Sequence, residues 1–207
     1  MKNFRSIKLM IIIMLCCFSC GCARSVVERV PSGERVVASI NFASNLNFAK
    51  NKYYMMISSS PAYQLPFYPY EFIEPGYPPV DPQIDYYKFY STWSGYVVVD
   101  GGMVYLIPGP FTSTTESYQR IQIGGPLGLG RNMSFQFRLE QIFGASLPDV
   151  VYFDFISVDE SRFLKDHLFP PSKSIMKYEG MIVSGSDEGS SDIDPSLDIL
   201  DWSVSIQ

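Results

Sequence analysis

The sequence predicts an all-β fold: an antiparallel β-sandwich with a long Pro/aromatic-rich loop and one or two short helices. Aromatic residues make up 15% of the 207-residue chain and charged residues only 18%, a balance that suits pleated, buried strands better than a helical bundle. Short segments of alternating or continuous apolarity recur between Gly, Pro and Asp turns. Segments with helical periodicity are few and brief.

The chain opens with Lys2, Arg5 and Lys8, then an apolar run from Leu9 to Phe18, then Ser19-Cys20-Gly21-Cys22-Ala23. That order is a signal peptide. The run is ten residues long, so as a helix it reaches about 15 Å, half of a hydrocarbon core. The segment resembles the bacterial lipobox, in which a cysteine after small residues is acylated and becomes residue one. Cys22 is the preferred site, because small residues precede it. Cys20, preceded by the bulky Phe18 and Ser19, is the alternative. The resemblance implies a lipoprotein held in the membrane by palmitate-type chains, and two or more such chains anchor stably. Ala23 or Gly21, rather than Asp, follows the cysteine. In a host with two membranes that implies the outer membrane, and otherwise the cell envelope at large.

The chain then divides into a signal peptide at 1–21, a membrane tether at 22–34 and a single sandwich domain at 35–207. All four Cys lie at or before Cys22, so the body holds no disulfide. Three of the sixteen Lys and Arg lie in the leader, leaving thirteen against twenty-one Asp and Glu, a net charge of −8. That charge argues against nucleic acid as a partner.

Arg35 to Phe42 alternates Val36, Ala38, Ile40 and Phe42 with more polar neighbours, and Lys52 to Ser58 is apolar throughout. Trp93 to Val99 and Met103 to Ile107 flank Asp100-Gly101-Gly102, a hairpin turn. Tyr118 to Ile123 reads as a strand. Asn132 to Glu140 turns Met133, Phe135, Phe137 and Leu139 to one side. Val150 to Ile156 is a buried run broken by Asp154, and Trp202, Val204 and Ile206 close the chain. Two short helices are expected. Leu139 to Gly144 makes one turn, and Asp159 to Leu168 has an Asp cap with Phe163, Leu164 and Leu168 on one face. The order of SFQFRL, helical turn, VVYFDFISVDE, acidic loop and DWSVSI over residues 130–207 resembles family 9 carbohydrate-binding modules and DOMON sandwiches. The resemblance implies sugar, haem or other ligand binding, and it carries over no functional residue.

The segment from Pro61 to Tyr96 holds seven prolines and a dense set of aromatics. It reads as a long insertion, and such loops are functional or disordered; its aromatic side chains argue for burial. One reading makes it a recognition surface on which Tyr68, Tyr70, Tyr77, Tyr87 and Trp93 bind a glycan or a protein partner. The other, favoured, makes it a cover packed on an open face or edge of the sheet.

Catalytic constellations are scarce. His167 is the only histidine, expected at the exposed end of the second helix. With no mature Cys beyond the acylated one, it supports neither a triad nor a His-based zinc site. Gly124 to Gly130 contains G-x-G but precedes a strand and contains Pro126, the wrong order for a phosphate loop. The acids Asp187, Glu188, Asp192, Asp194, Asp198 and Asp201 lack EF-hand spacing and read as a solvated loop rather than a calcium site. Asp154 alone reads as a buried acid, satisfied by Tyr, Arg or backbone donors. No cofactor or metal is expected. These features predict a lipid-anchored envelope module that binds a glycan or protein. The alternative is a carboxylate-dependent, glycosidase-like hydrolase built on Asp154 with Glu140 or Asp159.

Overall fold

The computed structural model describes residues 34–67, 70–76, 87–112, 118–168, 173–190 and 192–207. The segment expected to be a signal peptide, Cys20, Cys22 and nearly all of the expected tether lie outside the described residues.

Two antiparallel sheets pack face to face. The smaller holds β1 (Arg35–Phe42), β6 (Asn132–Arg138), β10 (Ile182–Ser186) and β11 (Ile199–Ile206) in the order β10-β11-β1-β6. The larger runs β5-β4-β3-β2-β7-β8. Its strands are β2 (Lys52–Ser58), β3 (Gly95–Asp100), β4 (Met103–Pro108), β5 (Ile121–Gly124), β7 (Val150–Val158) and β8 (Leu164–His167). A seventh strand, β9 (Lys173–Met176), pairs with the first half of β7. Strand β8 pairs with the second half.

The alternation in β1, β6 and β11 is what a one-sided sheet requires. Val36, Ala38, Ile40 and Phe42 meet Met133, Phe135 and Phe137 and also Trp202, Val204 and Ile206 in the sandwich interior. Asp100 pairs with Met103 across Gly101 (φ 59°) and Gly102 (φ 80°). A two-residue turn matched to the strand twist needs positive φ at both positions, which glycine supplies.

The larger sheet is covered on both faces, which explains why β2 is apolar without alternation. Tyr53, Met55 and Ile57 point into the sandwich, whereas Tyr54 and Met56 point outward. Outside, they meet Phe72, Ile73, Phe89, Tyr90 and Trp93 of the insertion, with Phe111 beside them. The described parts of the insertion therefore form a third layer, as the cover reading expected. Each such side chain contributes roughly 1.5–3 kcal/mol relative to exposure. Helix α1 (Tyr87–Tyr90) lies in this layer, and α2 (Glu140–Phe143) falls where the first helix was expected.

The helix expected over Asp159–Leu168 is a hairpin and a strand. The Asp159 carbonyl accepts the Arg162 N–H at 3.0 Å, and its Oδ1 accepts the Phe163 N–H at 2.9 Å. Arg162 has φ 66°, the left-handed residue that completes a bulged hairpin turn. The unpaired edge of β7 takes β8 as its partner, satisfying backbone groups that a helix would leave open. Two strand starts also shift. Trp93 precedes β3, because its indole N–H donates to the Gln64 carbonyl at 2.9 Å in the outer layer. Tyr118 precedes β5, its hydroxyl accepting the Thr112 N–H at 2.7 Å.

Candidate functional site

The outer layer encloses two polar spots on the larger sheet. Tyr96 and Asp154 are both cross-strand neighbours of Met56, on either side of it. Two strand spacings put their Cα atoms about 10 Å apart. Each begins a separate cluster.

The first cluster opens to solvent as a cleft of about 220 Å³. Tyr54 and Val158 of the sheet and Phe72 and Ile73 of the insertion form its apolar floor. Glu74, 8% exposed, stands on that floor. The Tyr96 hydroxyl donates to its Oε1 at 2.7 Å. Burial pushes the Glu74 carboxyl above the ordinary range, and Lys52 and Arg120 oppose this only in part.

Charges of both signs ring the mouth. Lys50, Lys52 and Arg162 face Asp159 and Glu160. Asp159 is taken by Lys165 at 2.9 Å. The cations are held more loosely: Lys52 is 3.8 Å from Asp100, and Arg162 is 3.9 Å from Glu71. The β7–β8 turn is stitched to the insertion by a Glu71–Phe163 bridge and by the Phe72 N–H donating to the Arg162 carbonyl. Floor and rim are therefore one unit.

The second cluster is closed. Asp154 is 4% exposed. The Leu168 N–H donates to its Oδ1 at 2.9 Å and the Tyr63 hydroxyl to its Oδ2 at 3.2 Å. His167 Nδ1 lies 3.6 Å from Oδ2, too far for a hydrogen bond, and is otherwise without a partner. Burial raises the Asp154 carboxyl. The Asp154 carboxylate raises His167 in turn, against the opposing effect of burial. Asp166, beside His167, is pushed up to about 6 by burial, although the Ile199 and His167 N–H groups donate to it.

Several expectations change here. His167 is a half-buried residue of β8 beside Asp154, not the exposed end of a helix, because the segment pairs with β7. Asp154 is not the only buried acid, since Glu74 and Asp198 are buried too. The carboxylates expected beside Asp154 go elsewhere: Glu140 pairs with Arg138 at 2.6 Å, and Asp159 stands at the cleft mouth.

The structure separates the aromatic residues singled out in the insertion. Tyr68 and Tyr77 lie outside the described residues, and of Tyr87 only the α1 backbone is described. Tyr70 is half-buried against Phe89, ring centroids 5.3 Å apart, with Lys88 Nζ 4.8 Å above its ring. Trp93 is buried and stacks on Phe72 at 6.3 Å, beneath the cleft floor.

The chain matches no family model, no curated protein and no solved structure. The geometry thus stands alone.

The acidic tract folds into turns ahead of β11, and its last member, Asp201, belongs to that strand. Asp194 Oδ1 accepts from the Ser196 N–H and hydroxyl, both at 2.8 Å, and Asp198 accepts from the Ser190 N–H. Asp201 Oδ1 accepts from Asn41 Nδ2 at 2.6 Å. Among the described residues no group of three or more His, Cys, Asp or Glu side chains converges on a metal position.

Sequence reasoning missed Glu74. The available signal was weaker than the one that exposed Asp154: Glu74 follows Phe72-Ile73, but Pro75-Gly76 comes next, so no apolar run encloses it as one encloses Asp154.

Proposed function

We propose that this chain is a lipid-anchored cell-envelope binding module that takes a sugar unit of a glycan in the Glu74 cleft. The anchor reading rests on the lipobox-like order of residues around Cys22 or Cys20, with the outer membrane as destination in a host with two membranes. The binding reading rests on Glu74, a buried carboxyl bonded to Tyr96 through Oε1 and set in the lining of a cleft open to solvent. Sugars present an apolar C–H face and hydroxyls that both donate and accept. The floor of Tyr54, Phe72 and Val158 suits the first, and Glu74, Lys52 and Arg162 suit the second. Drug-sized ligands fill pockets of roughly 300–1,000 Å³, so the cleft suits one ring with the rest of the chain outside.

Trp93 reports occupancy, because it stacks on Phe72. Full-length protein in detergent is titrated with an array of envelope glycans while Trp fluorescence is read. Saturable quenching by a subset is expected, weakened about tenfold or more in Glu74→Gln, since hydrogen bonds to charged groups are the strong ones. Silence across the array defeats the glycan reading and leaves a protein partner.

A further inference from the structure

The insertion leaves β2 at Ser58 and crosses the outer face before it reaches the cleft floor at Phe72. On the way it touches the larger sheet at a titratable pair. Tyr63 donates to Asp154 Oδ2 at 3.2 Å, and its hydroxyl lies 3.5 Å from the Phe153 carbonyl. Phe67 sets its ring edge-on to the His167 imidazole, centroids 4.8 Å apart. Between them Gln64 ties this stretch to the insertion's far end. Its N–H donates to Thr92 Oγ1 at 3.0 Å, and its carbonyl accepts from Trp93. Asp154 Oδ2 is thus shared by the strap's tyrosine and the approaching imidazole, whose Nδ1 is buried without a hydrogen bond.

We propose that Asp154 and His167 form a proton-operated latch that holds the 59–67 strap on the sheet, seated when the pair carries its proton and loosened when the proton leaves. With the proton on, imidazolium faces carboxylate in a site largely closed to water, where the attraction is strong. Tyr63 completes the Asp154 shell, and Phe67 covers the imidazole. With the proton off, a buried carboxylate faces a neutral ring whose Nδ1 is 3.6 Å away, and hydration of Asp154 favours lifting the strap.

The carboxylates around the pair agree in sign. From β8, Asp166 adds negative charge beside His167, and Asp198 lies beyond it. Lys173 of β9 and Asp187 after β10 line the small cavity next to His167, and Lys173 Nζ sits 5.3 Å over the Trp202 ring. Both members of the pair hold protons more tightly than the free side chains, Asp154 through burial and His167 through Asp154. Lifting the strap hydrates Asp154 and removes burial that raises it, while losing the Tyr63 hydrogen bond that lowers it. Burial is the larger of the two, so the seated strap binds more protons than the released one, and acid seats it while alkali frees it. This inference does not depend on what the cleft binds.

The test is hydrogen exchange with mass spectrometry on the full-length chain in detergent at about pH 5.5 and about pH 8.5, with rates corrected for intrinsic chemistry. Protection of peptides covering 60–67 is expected to fall about tenfold at the higher pH. Peptides from β1 keep their protection. In His167→Gln the pH response is lost, and in Tyr63→Phe the strap is less protected at both pH values. A wild-type strap with pH-independent protection overturns the latch without any variant. So does an equal response in His167→Gln, or a parallel loss in β1, which would make the change global.

Discussion

The Tyr96 hydroxyl donates to Glu74 Oε1 across 2.7 Å, and this contact joins the middle of the larger sheet to the insertion. Both side chains are buried, at 1% and 8% exposure, so the bond has little competition from water. Tyr96→Phe strips a buried carboxyl of its donor. A loss of about 1–3 kcal/mol is expected in urea denaturation. Glu74→Gln keeps an acceptor for Tyr96 and is expected to cost less. The reverse ranking would mean that the bond does not anchor the insertion.

Stability should decline from mildly acidic to mildly alkaline pH. Glu74, Asp154 and Asp166 all have folded pKa values above their unfolded ones, chiefly through burial. Such groups stabilise the fold fully below the unfolded pKa, and that contribution fades as pH rises through the folded one. For Asp166 the window runs from 3.8 to about 6. His167, raised by Asp154, has the same sign at higher pH. A Tm lower by several degrees at about pH 8 than at about pH 5 is expected, with Asp166→Asn flattening the lower part of the curve. A Tm that climbs over this range contradicts it.

Arg162 takes a left-handed turn position where glycine is at ease. For an L-residue this conformation costs roughly 1–2 kcal/mol, offset by the greater chain entropy that glycine loses on folding, roughly 0.5–1 kcal/mol. Arg162→Gly is therefore expected to stabilise the fold by about 0.5 kcal/mol while removing a guanidinium from the cleft mouth. Chemical denaturation and glycan titration on one sample should move in opposite directions. Unchanged glycan affinity would show that the arginine serves the turn alone.

Gly185 sits directly across from Trp202 between β10 and β11. A Cβ there would meet the indole at 2.7 Å. Gly185→Ala must displace the ring from the core, and overpacking of this kind costs about 1–3 kcal/mol. The check is a lower urea midpoint with a shift in Trp emission; an unchanged midpoint would mean that the indole has room to move.

Globomycin is expected to block processing, and Cys22→Ala to release the chain from the detergent phase while leaving its circular dichroism unchanged. Acylation that persists in Cys22→Ala and stops in Cys20→Ala moves residue one to Cys20. If neither substitution alters partitioning, the lipid anchor is wrong.

The sandwich was legible wherever one residue type repeats on one face. β1, β2 and β6 are readable because Val36 through Phe42 alternate, Lys52–Ser58 is apolar on both sides, and Met133, Phe135 and Phe137 recur at every second position. Strands β8, β9 and β10 were not. Each is four or five residues long, and only Leu164 and Ile175 are buried among them. Too few side chains meet the core there to leave a period. Over Asp159–Leu168 the spacing of Phe163, Leu164 and Leu168 imitates a helical face, and an Asp that starts a helix looks like one that closes a hairpin. The site was harder still. Glu74 and Tyr96 are 22 positions apart, and nothing local to either announces the other.

Tyr54, Met56, Tyr96 and Val98 are as thoroughly hidden as the residues between the two sheets, yet they lie on the side of the larger sheet that a two-layered protein would turn to water. The stretch from Pro61 to Trp93 is thus not an ornament that shortening would merely simplify. A version trimmed to a tight β2–β3 turn would keep every strand and display a continuous greasy panel, prone to stick to its own copies. Any relative that lost the insertion would have to recolour those four positions in polar residues at the same time, so the loop and the sheet beneath it are constrained to change together.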